Sequence, residues 1–202
     1  PYYGKTEFAA ADAIKVLRSS NEQFDIIVSE PNHPWVAGVE NLFSVEFLSL
    51  VRDSLTADGV YCQWFPLFVS EPGIVLTILN TFNEVFPHVR AFSTGGGTLS
   101  IVASNQPLQV DIDHIERLLA RLGHRLVPRD SDFTDPHFLL ATEVLNEWAL
   151  EAVVEDFPAT HTFEFPVVSA SASRARFACP GPGRRQPNVA GRPAGRPRSR
   201  RL

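Results

Sequence analysis

The chain has 202 residues, which is room for one domain of ordinary size and a tail. Hydrophobic residues make up 44% of it, enough for a packed core, and no run approaches the ~18 apolar residues of a membrane helix. The cysteines, Cys62 and Cys179, lie far apart in different contexts and indicate neither a disulfide framework nor a zinc site. The chain begins at Pro1 and contains no Met, so we expect it to be a fragment of a longer protein.

Charge is distributed unevenly along the chain, although the net charge is only −5. Nine of the 18 basic residues are arginines from Arg174 onward, where no acidic residue occurs. The preceding residues therefore hold nine basic against 23 acidic side chains, or about −14. An acidic body discourages nucleic-acid binding and suits a cationic ligand, or it serves solubility alone.

The first predicted elements lead to a loop rich in functional groups. Residues 7–10 are predicted to form a short strand that ends at Asp12, and residues 13–20 a short helix. Residues 24–29 follow as the central strand, and their β-branched run without polar alternation indicates burial on both faces of a parallel sheet. Pro31 and Pro34 exclude regular structure after it. The loop thus carries four polar or aromatic side chains, Glu30, Asn32, His33 and Trp35, at a strand's carboxyl end, where ligands bind in open α/β sheets.

The next signals predict a helix, a strand and a second helix. Ser44 is placed to cap a helix whose apolar face continues to Leu55. The dipeptide Asp58-Gly59 predicts a turn, after which residues 60–65 are predicted to form a second buried parallel strand. Glu71-Pro72 indicates the start of another helix, which ends before Pro87.

The remaining chain predicts a hairpin, further helices and a tail. Residues 89–93 and 99–104 are predicted strands joined around Gly95–Gly97, which is no phosphate loop because no Lys-Ser/Thr follows. Residues 111–122 are predicted to form an amphipathic helix, and residues 135–154 one or two more. From residue 169 the composition of Pro, Gly and Arg favours a disordered or mistranslated end, although an Arg-rich tail can touch nucleic acid or anionic lipid. We expect one α/β domain over residues 1–168, with parallel strands, an antiparallel hairpin and helices on both faces of the sheet.

The loop after the central strand carries a family resemblance. Residues 29–38, Ser-Glu-Pro-Asn-His-Pro-Trp-Val-Ala-Gly, followed by Asn-Leu-Phe, resemble the corresponding loop of the spermidine synthase family, the polyamine aminopropyltransferases. The version is closest to a branch whose members are fused to a membrane-spanning half. The likeness covers roughly residues 8–104, and more weakly extends to residue 165. It implies a partial class I S-adenosylmethionine-binding, Rossmann-like fold that lacks its first strands, in a cytoplasmic domain that is able to form a homo-oligomer.

The resemblance assigns a catalytic role to the loop. Glu30 stands where the family has an Asp that takes a proton from the attacking amine. His33 replaces a second family Asp and, when neutral, is able to accept a hydrogen bond from the polyamine substrate. The alternative is that Glu30 and His33 merely cap the loop. Trp35 is either a wall of the cleft or a core residue.

The resemblance also assigns binding residues. Asp12 and Ala13 match the family pair that holds the adenine, although an Asp before a helix also serves as an N-cap. Ser29 is implied on the cofactor side, and Gln63 and Trp64 near the polyamine. A Gln among apolar residues needs partners, so either a structural or a ligand bond explains Gln63.

The implied reaction transfers an aminopropyl group from decarboxylated S-adenosylmethionine to putrescine or a related amine, without a metal. Neither the Gly-rich turn nor the acidic partner of class I transferases occurs, so the chain holds about half of a cofactor site and is expected to be inactive alone. Two alternatives stay open. One is an S-adenosylmethionine-dependent methyltransferase, since methyl transfer does not require the acidic pair; the other is a non-catalytic scaffold domain. The remaining histidines show no ligand spacing and are interpreted as surface or core residues: His88, His114, His124, His137 and His161.

Overall fold

The computed structural model describes residues 7–31, 36, 38–67, 70–93, 95–126 and 134–168. The helices are α1 (Ala13–Ser19), α2 (Val45–Ser54), α3 (Pro72–Val85), α4 (Ile112–Leu126), α5 (Pro136–Ala141) and α6 (Glu147–Val154). The strands are β1 (Phe24–Ser29), β2 (Leu55–Pro66), β3 (His88–Phe92), β4 (Thr98–Ser104) and β5 (Glu143–Leu145). A short 3₁₀ turn, Glu40–Phe43, precedes α2.

The five strands form one mixed sheet in the order β1-β2-β4-β3-β5. β1 and β2 are parallel, whereas β4 is antiparallel to both β2 and β3. The predicted parallel pair and the predicted hairpin are therefore confirmed. The hairpin folds back so that β4, rather than β3, lies beside β2.

The described core lies on one face of the sheet. Alternate residues of the central strands point into it, among them Tyr61 on β2 and Ile101 on β4, both fully buried. Tyr61 stacks on Phe82 and Phe86 of the α3 region, with ring centroids 5.9 and 6.1 Å apart. Side chains that point the other way along β2, such as Cys62, are only half-buried.

The predicted starts of α2 and α3 and the end of α3 follow from local chemistry and are confirmed, whereas the helix predicted over residues 111–122 extends to Leu126. The Ser44 hydroxyl accepts a hydrogen bond from the Phe47 amide at 3.2 Å and caps α2. Pro72 is the first residue of α3, where its missing N–H has no helical acceptor to lose. The same helix ends at Val85, before Pro87.

The expected burial of β1 on both faces is wrong. The side chains of Ile26 and Val28 are 68% and 67% exposed. Within the described residues, β1 pairs only with β2, so it is an edge strand and its outward side chains have no covering element. The apolar run predicts the strand correctly, but it does not predict that β2 is the one described strand beside β1.

Two further local predictions are wrong. Residues 7–10 form no strand, and Phe8 is 93% exposed, because no described strand pairs with them. The dipeptide Asp58-Gly59 makes no turn between elements but lies within β2. Phe24 pairs with Leu55 while Ile26 pairs with Val60, so the turn signal marks a bulge in β2.

The segment after α6 is tied to the body through His161, which is fully buried. Its backbone N–H donates to Thr81 Oγ1 at 2.9 Å, and its ring Nε2 donates to the Glu40 carbonyl at 2.9 Å. Its Nδ1 accepts the Val167 amide at 3.1 Å. Among the described helices, none has both the length and the apolar character to cross a bilayer.

Candidate active site

The carboxyl ends of the two parallel strands form the edge where the candidate residues were expected. Ser29, the last residue of β1, lies opposite Gln63 of β2. Glu30 follows directly and is exposed. Because both strands run in the same direction, Glu30, Gln63 and the next residue, Trp64, share one edge of the sheet.

Gln63 has its hydrogen-bond partners inside the protein. Its side chain is fully buried, and Tyr61 donates its hydroxyl proton to Gln63 Oε1. Gln63 Nε2 donates to the carbonyls of Ser29 at 3.3 Å and Trp64 at 3.1 Å. Burial raises the pKa of Tyr61, so its hydroxyl stays a neutral donor. Of the two explanations for Gln63, the structural one accounts for the bonds of its side-chain amide. These bonds hold the end of β1 against β2.

The Glu30 carboxylate makes no hydrogen bond or ion pair with any described residue. It stands exposed at the end of β1, with its oxygens able to accept. The alternative in which Glu30 caps its loop has no support among the described contacts. His33 and Trp35, the other candidates of this loop, lie outside the described residues.

Asp12 is the N-cap of α1, as the structural alternative proposed. Its Oδ1 accepts the Lys15 amide at 3.1 Å, and its carbonyl accepts the Val16 amide at 3.0 Å. The second carboxylate oxygen has no partner within the described residues. Ala13, which begins the helix, is exposed, and its N–H is one of the amides that a helix cannot pair internally.

The structure does not bring Asp12 and Glu30 into one described cavity. One groove lies at the opposite end of β2, lined by residues that include Asp58, Ser104 and Gln106. A second lies between α3 and α6. In the sequence, Asp12 precedes α1 and Glu30 follows β1. That the two carboxylates face a common crevice stays a prediction.

Comparison with known proteins shows what this region resembles. A model of the spermine/spermidine synthase domain matches residues 4–96, a span that contains every candidate site residue. Residues 4–96, a little under half of the chain, therefore resemble the spermine/spermidine synthase domain.

Two kinds of similar protein agree with this resemblance. The polyamine aminopropyltransferase of Clostridium kluyveri is 29% identical over 91 residues, which are 45% of this chain and 33% of that protein. A spermidine synthase in complex with the transition state analogue AdoDATO superimposes with a TM-score of 0.56 at 18% identity, covering 75% of this chain and 51% of that one. The spermidine synthase of Thermotoga maritima gives 0.50 at 18% identity, covering 73% and 49%.

The structural likeness confirms the predicted fold class, a partial Rossmann-like sheet. At 18% identity, it shows the fold alone. The chain spans about half the length of these solved synthases and a third of the curated relative. The resemblance to the membrane-fused branch stays a prediction.

One structural feature of the spermidine synthase-like edge was not predicted to lie there. Leu67 donates its amide to the Gly97 carbonyl at 2.7 Å, which brings the β3–β4 connection to the carboxyl end of β2. Gly95, Gly96 and Gly97 have φ values of 94°, 66° and 71°, which side chains rarely adopt. The antiparallel pairing of β2 with β4 explains this position, because the first residue of β4 lies opposite the last residue of β2.

Metal-ligating residues do not cluster in the part of the chain that the structure describes: no three His, Cys, Asp or Glu side chains come together there. His161 is a core residue, whereas His114 and His137 are exposed. His88 is partly buried, with its Nδ1 3.2 Å from Glu147. The interpretation of these four as surface or core residues fits their positions.

Proposed function

We propose that this chain is the carboxyl-terminal part of an aminopropyltransferase that uses decarboxylated S-adenosylmethionine and putrescine or a related amine. The observation that carries the proposal is the exposed Glu30 carboxylate at the carboxyl end of β1, which has no partner among the described residues and lies in the segment that matches the spermine/spermidine synthase domain. The solved synthase bound to the transition state analogue AdoDATO supports the same class of ligand. Cytoplasmic location and a homo-oligomeric state stay predictions.

The chemistry requires a base beside the attacking amine. The amine nitrogen forms a bond to the aminopropyl carbon next to the sulfonium, and the carbon–sulfur bond breaks. Its electron pair stays on sulfur, which leaves as a neutral thioether, while the amine loses a proton. Glu30 is the group that we assign to that proton, because a carboxylate also attracts the cationic substrate.

The residues present fit one end of the sulfonium substrate. Asp12 Oδ1 is used by the Lys15 amide, which leaves Oδ2 to accept the adenine amino group. The Ala13 N–H, which has no partner among the described residues, is suited to a ring nitrogen. Ser29, the last residue of β1, is assigned to the cofactor side of the site, and its carbonyl is already held by Gln63.

The amine end is assigned to the strand edge. Gln63 acts there by fixing β1 rather than by touching the amine, since its amide is already bonded inside the protein. Trp64 is half-buried and follows Gln63 at the same edge. His33 keeps its proposed contact to the polyamine, and the acidic body attracts a polycation to this surface.

The first experiment measures aminopropyl transfer by mass spectrometry of the polyamine and nucleoside products. The chain alone is expected to give no turnover, because it carries only part of the cofactor site. A fusion that places it after the amino-terminal part of the Clostridium kluyveri relative is expected to release methylthioadenosine and the extended amine. Turnover by the chain alone would refute the fragment hypothesis.

In the active fusion, Glu30→Gln is expected to lower kcat by about 10²- to 10⁴-fold, the range for a lost general base. Glu22→Gln, which removes an exposed carboxylate before β1, is the matched control and is expected to keep full activity. An unchanged rate for Glu30→Gln would reject the assigned base. S-adenosylhomocysteine formed from ordinary S-adenosylmethionine would instead support the methyltransferase alternative.

A further inference from the structure

A groove between α3 and α6 lies apart from the residues assigned to catalysis. It has a volume of about 390 Å³, and its lining includes Asn80, Trp148, Glu151, Glu155 and Pro158. Trp148 is 77% exposed, which is unusual for the largest apolar side chain. An indole exposed in a groove presents an apolar ring and a polar N–H to a partner.

The chemistry of this groove favours a cation. Glu151 and Glu155 follow Trp148 by three and seven residues, so the three side chains lie on one face of α6 and its carboxyl-terminal cap. Neither carboxylate has an ion pair with a described residue. An indole face attracts a guanidinium, and a carboxylate binds one in a bidentate manner, so Arg suits both groups.

The chain itself supplies a matching segment. Residues 174–201 hold nine arginines and no acidic residue, whereas the preceding chain is strongly acidic. This segment lies outside the described residues, which end at Val168.

The described chain ends close to the groove. The Val167 amide is held by the His161 ring, and His161 is held by Thr81, the neighbour of the groove residue Asn80. Asn80 Nδ2 itself donates to the Ala159 carbonyl at 3.2 Å. The six steps from Val168 to Arg174 span up to about 20 Å of extended chain, so the first arginines are able to reach the groove.

We propose that the Arg-rich segment, residues 174–201, docks intramolecularly in this groove, with guanidinium groups on Trp148, Glu151 and Glu155. The docking neutralises the strongest uncompensated charge contrast in the sequence. It does not depend on the transferase assignment, because none of the proposed catalytic residues lines the groove.

The test uses the full chain with a nitroxide spin label on Cys179, which lies within the Arg-rich segment. Cys62→Ala leaves Cys179 as the only thiol. The wild-type chain is labelled as well. Its Cys62 is half-buried and burial raises the pKa of that thiol, so Cys62 is expected to react slowly with the label. The measurement is paramagnetic broadening of the Trp148 indole N–H signal in NMR spectra, assigned with Trp148→Phe.

Docking predicts that the label broadens the Trp148 signal and leaves Trp64, on β2, sharp. Raising the salt concentration from 0.1 M to 1 M shortens the screening length from about 10 Å to about 3 Å and is expected to restore the Trp148 signal. Glu151→Gln and Glu155→Gln are each expected to lower the docking constant by roughly two- to fivefold, the range for exposed ion pairs.

The matched control is Glu22→Gln with Glu116→Gln, which removes the same charge from exposed positions elsewhere and is expected to leave the broadening unchanged. A sharp Trp148 signal at 0.1 M salt would overturn the proposal. So would broadening that is as strong in the groove variants as in the wild-type chain. Broadening found only when labelled and unlabelled chains are mixed would assign the groove to the tail of a second copy, and loss of broadening on adding spermidine at low concentration would assign it to free polyamine.

Discussion

His161 joins separated parts of the chain, since its backbone N–H is bonded to Thr81 and its ring to Glu40 and Val167. Its ring donates to Glu40 beside the candidate loop and accepts from Val167, which fixes the neutral tautomer with the proton on Nε2. Burial lowers the pKa of His161, although the hydrogen bond to the Glu40 carbonyl and the charges of Glu40 and Glu46 act in the opposite direction. A protonated ring would lose its acceptor, so the fold requires the uncharged form.

The first prediction at this scale concerns acid stability. Because the folded-state pKa lies below the ordinary value of 6.5, the unfolded chain binds a proton at higher pH than the folded chain does. The contribution of His161 is therefore complete above about pH 6.5 and is lost as the pH falls from there towards the folded-state pKa. His161→Gln, which does not titrate, is expected to cost about 1–3 kcal/mol at pH 7.5, the range for a disrupted buried hydrogen bond.

The measurement is urea unfolding of both proteins at pH 7.5 and pH 5.0. The difference in the free energy of unfolding between the wild type and His161→Gln is expected to shrink at pH 5.0. Both proteins have the same carboxylates, so the titration of those groups does not contribute to this difference. His114→Gln, on the exposed surface of α4, is expected to show the same difference from wild type at both pH values. A constant advantage for the wild-type His161 would contradict a buried neutral ring.

The sequence predicted which side chains carry polar groups at the candidate site, but not the hydrogen-bond partners of those groups. Asp12 before a helix was compatible with an N-cap, and the cap is what the structure describes. The bonds of Gln63 depend on Tyr61, two positions away on the same face of β2, and on the register that brings Ser29 opposite. Register is set by tertiary packing, so a single sequence does not specify these distances.

At the scale of elements, the signals that act within a few residues predicted the structure best. Ser44 and Pro72 mark helix starts through hydrogen bonds that the chain makes with itself. The strand over residues 7–10 and the full burial of β1 depended on distant neighbours, and both predictions are wrong. The three-residue strand β5 was not predicted, because its pairing with β3 gives it order that its length alone does not signal.

Gly59 shows why the expected turn is a bulge, and it gives the prediction at this scale. A Cβ on Gly59 would lie 2.8 Å from the Phe24 carbonyl oxygen and 3.0 Å from the Thr56 amide nitrogen, and backbone atoms do not yield. Gly59→Ala is therefore expected to destabilise the fold by about 1–3 kcal/mol through overpacking.

The control for Gly59 is a glycine with room. In the first turn of α3, a Cβ on Gly73 would have one neighbour within 4 Å among the described residues, Phe157 at 3.9 Å. Gly73→Ala is expected to be neutral or to stabilise by up to about 1 kcal/mol, because Ala favours helix. Thermal unfolding of the two variants measures the contrast, and equal midpoints would show that the bulge tolerates a side chain.

At the scale of the whole molecule, the chain combines a well-packed core face with an apolar edge. β1 has one sheet neighbour among the described strands, and Ile26 and Val28 project from it into solvent. An edge strand with free backbone groups and apolar side chains favours pairing with another chain. We therefore expect the isolated chain to self-associate through β1.

Lysine substitution on that edge tests this expectation. Burying one Val or Ile contributes about 1.5–3 kcal/mol, so Ile26→Lys with Val28→Lys is expected to weaken self-association by about tenfold or more. Sedimentation velocity over a range of concentrations measures it. The control, Val16→Lys with Val110→Lys, adds the same charge at other exposed positions and is expected to leave association near the wild-type level, since it leaves β1 intact. Equal weakening by both pairs would trace the association to net charge, and a wild-type chain that stays monomeric would contradict an adhesive edge.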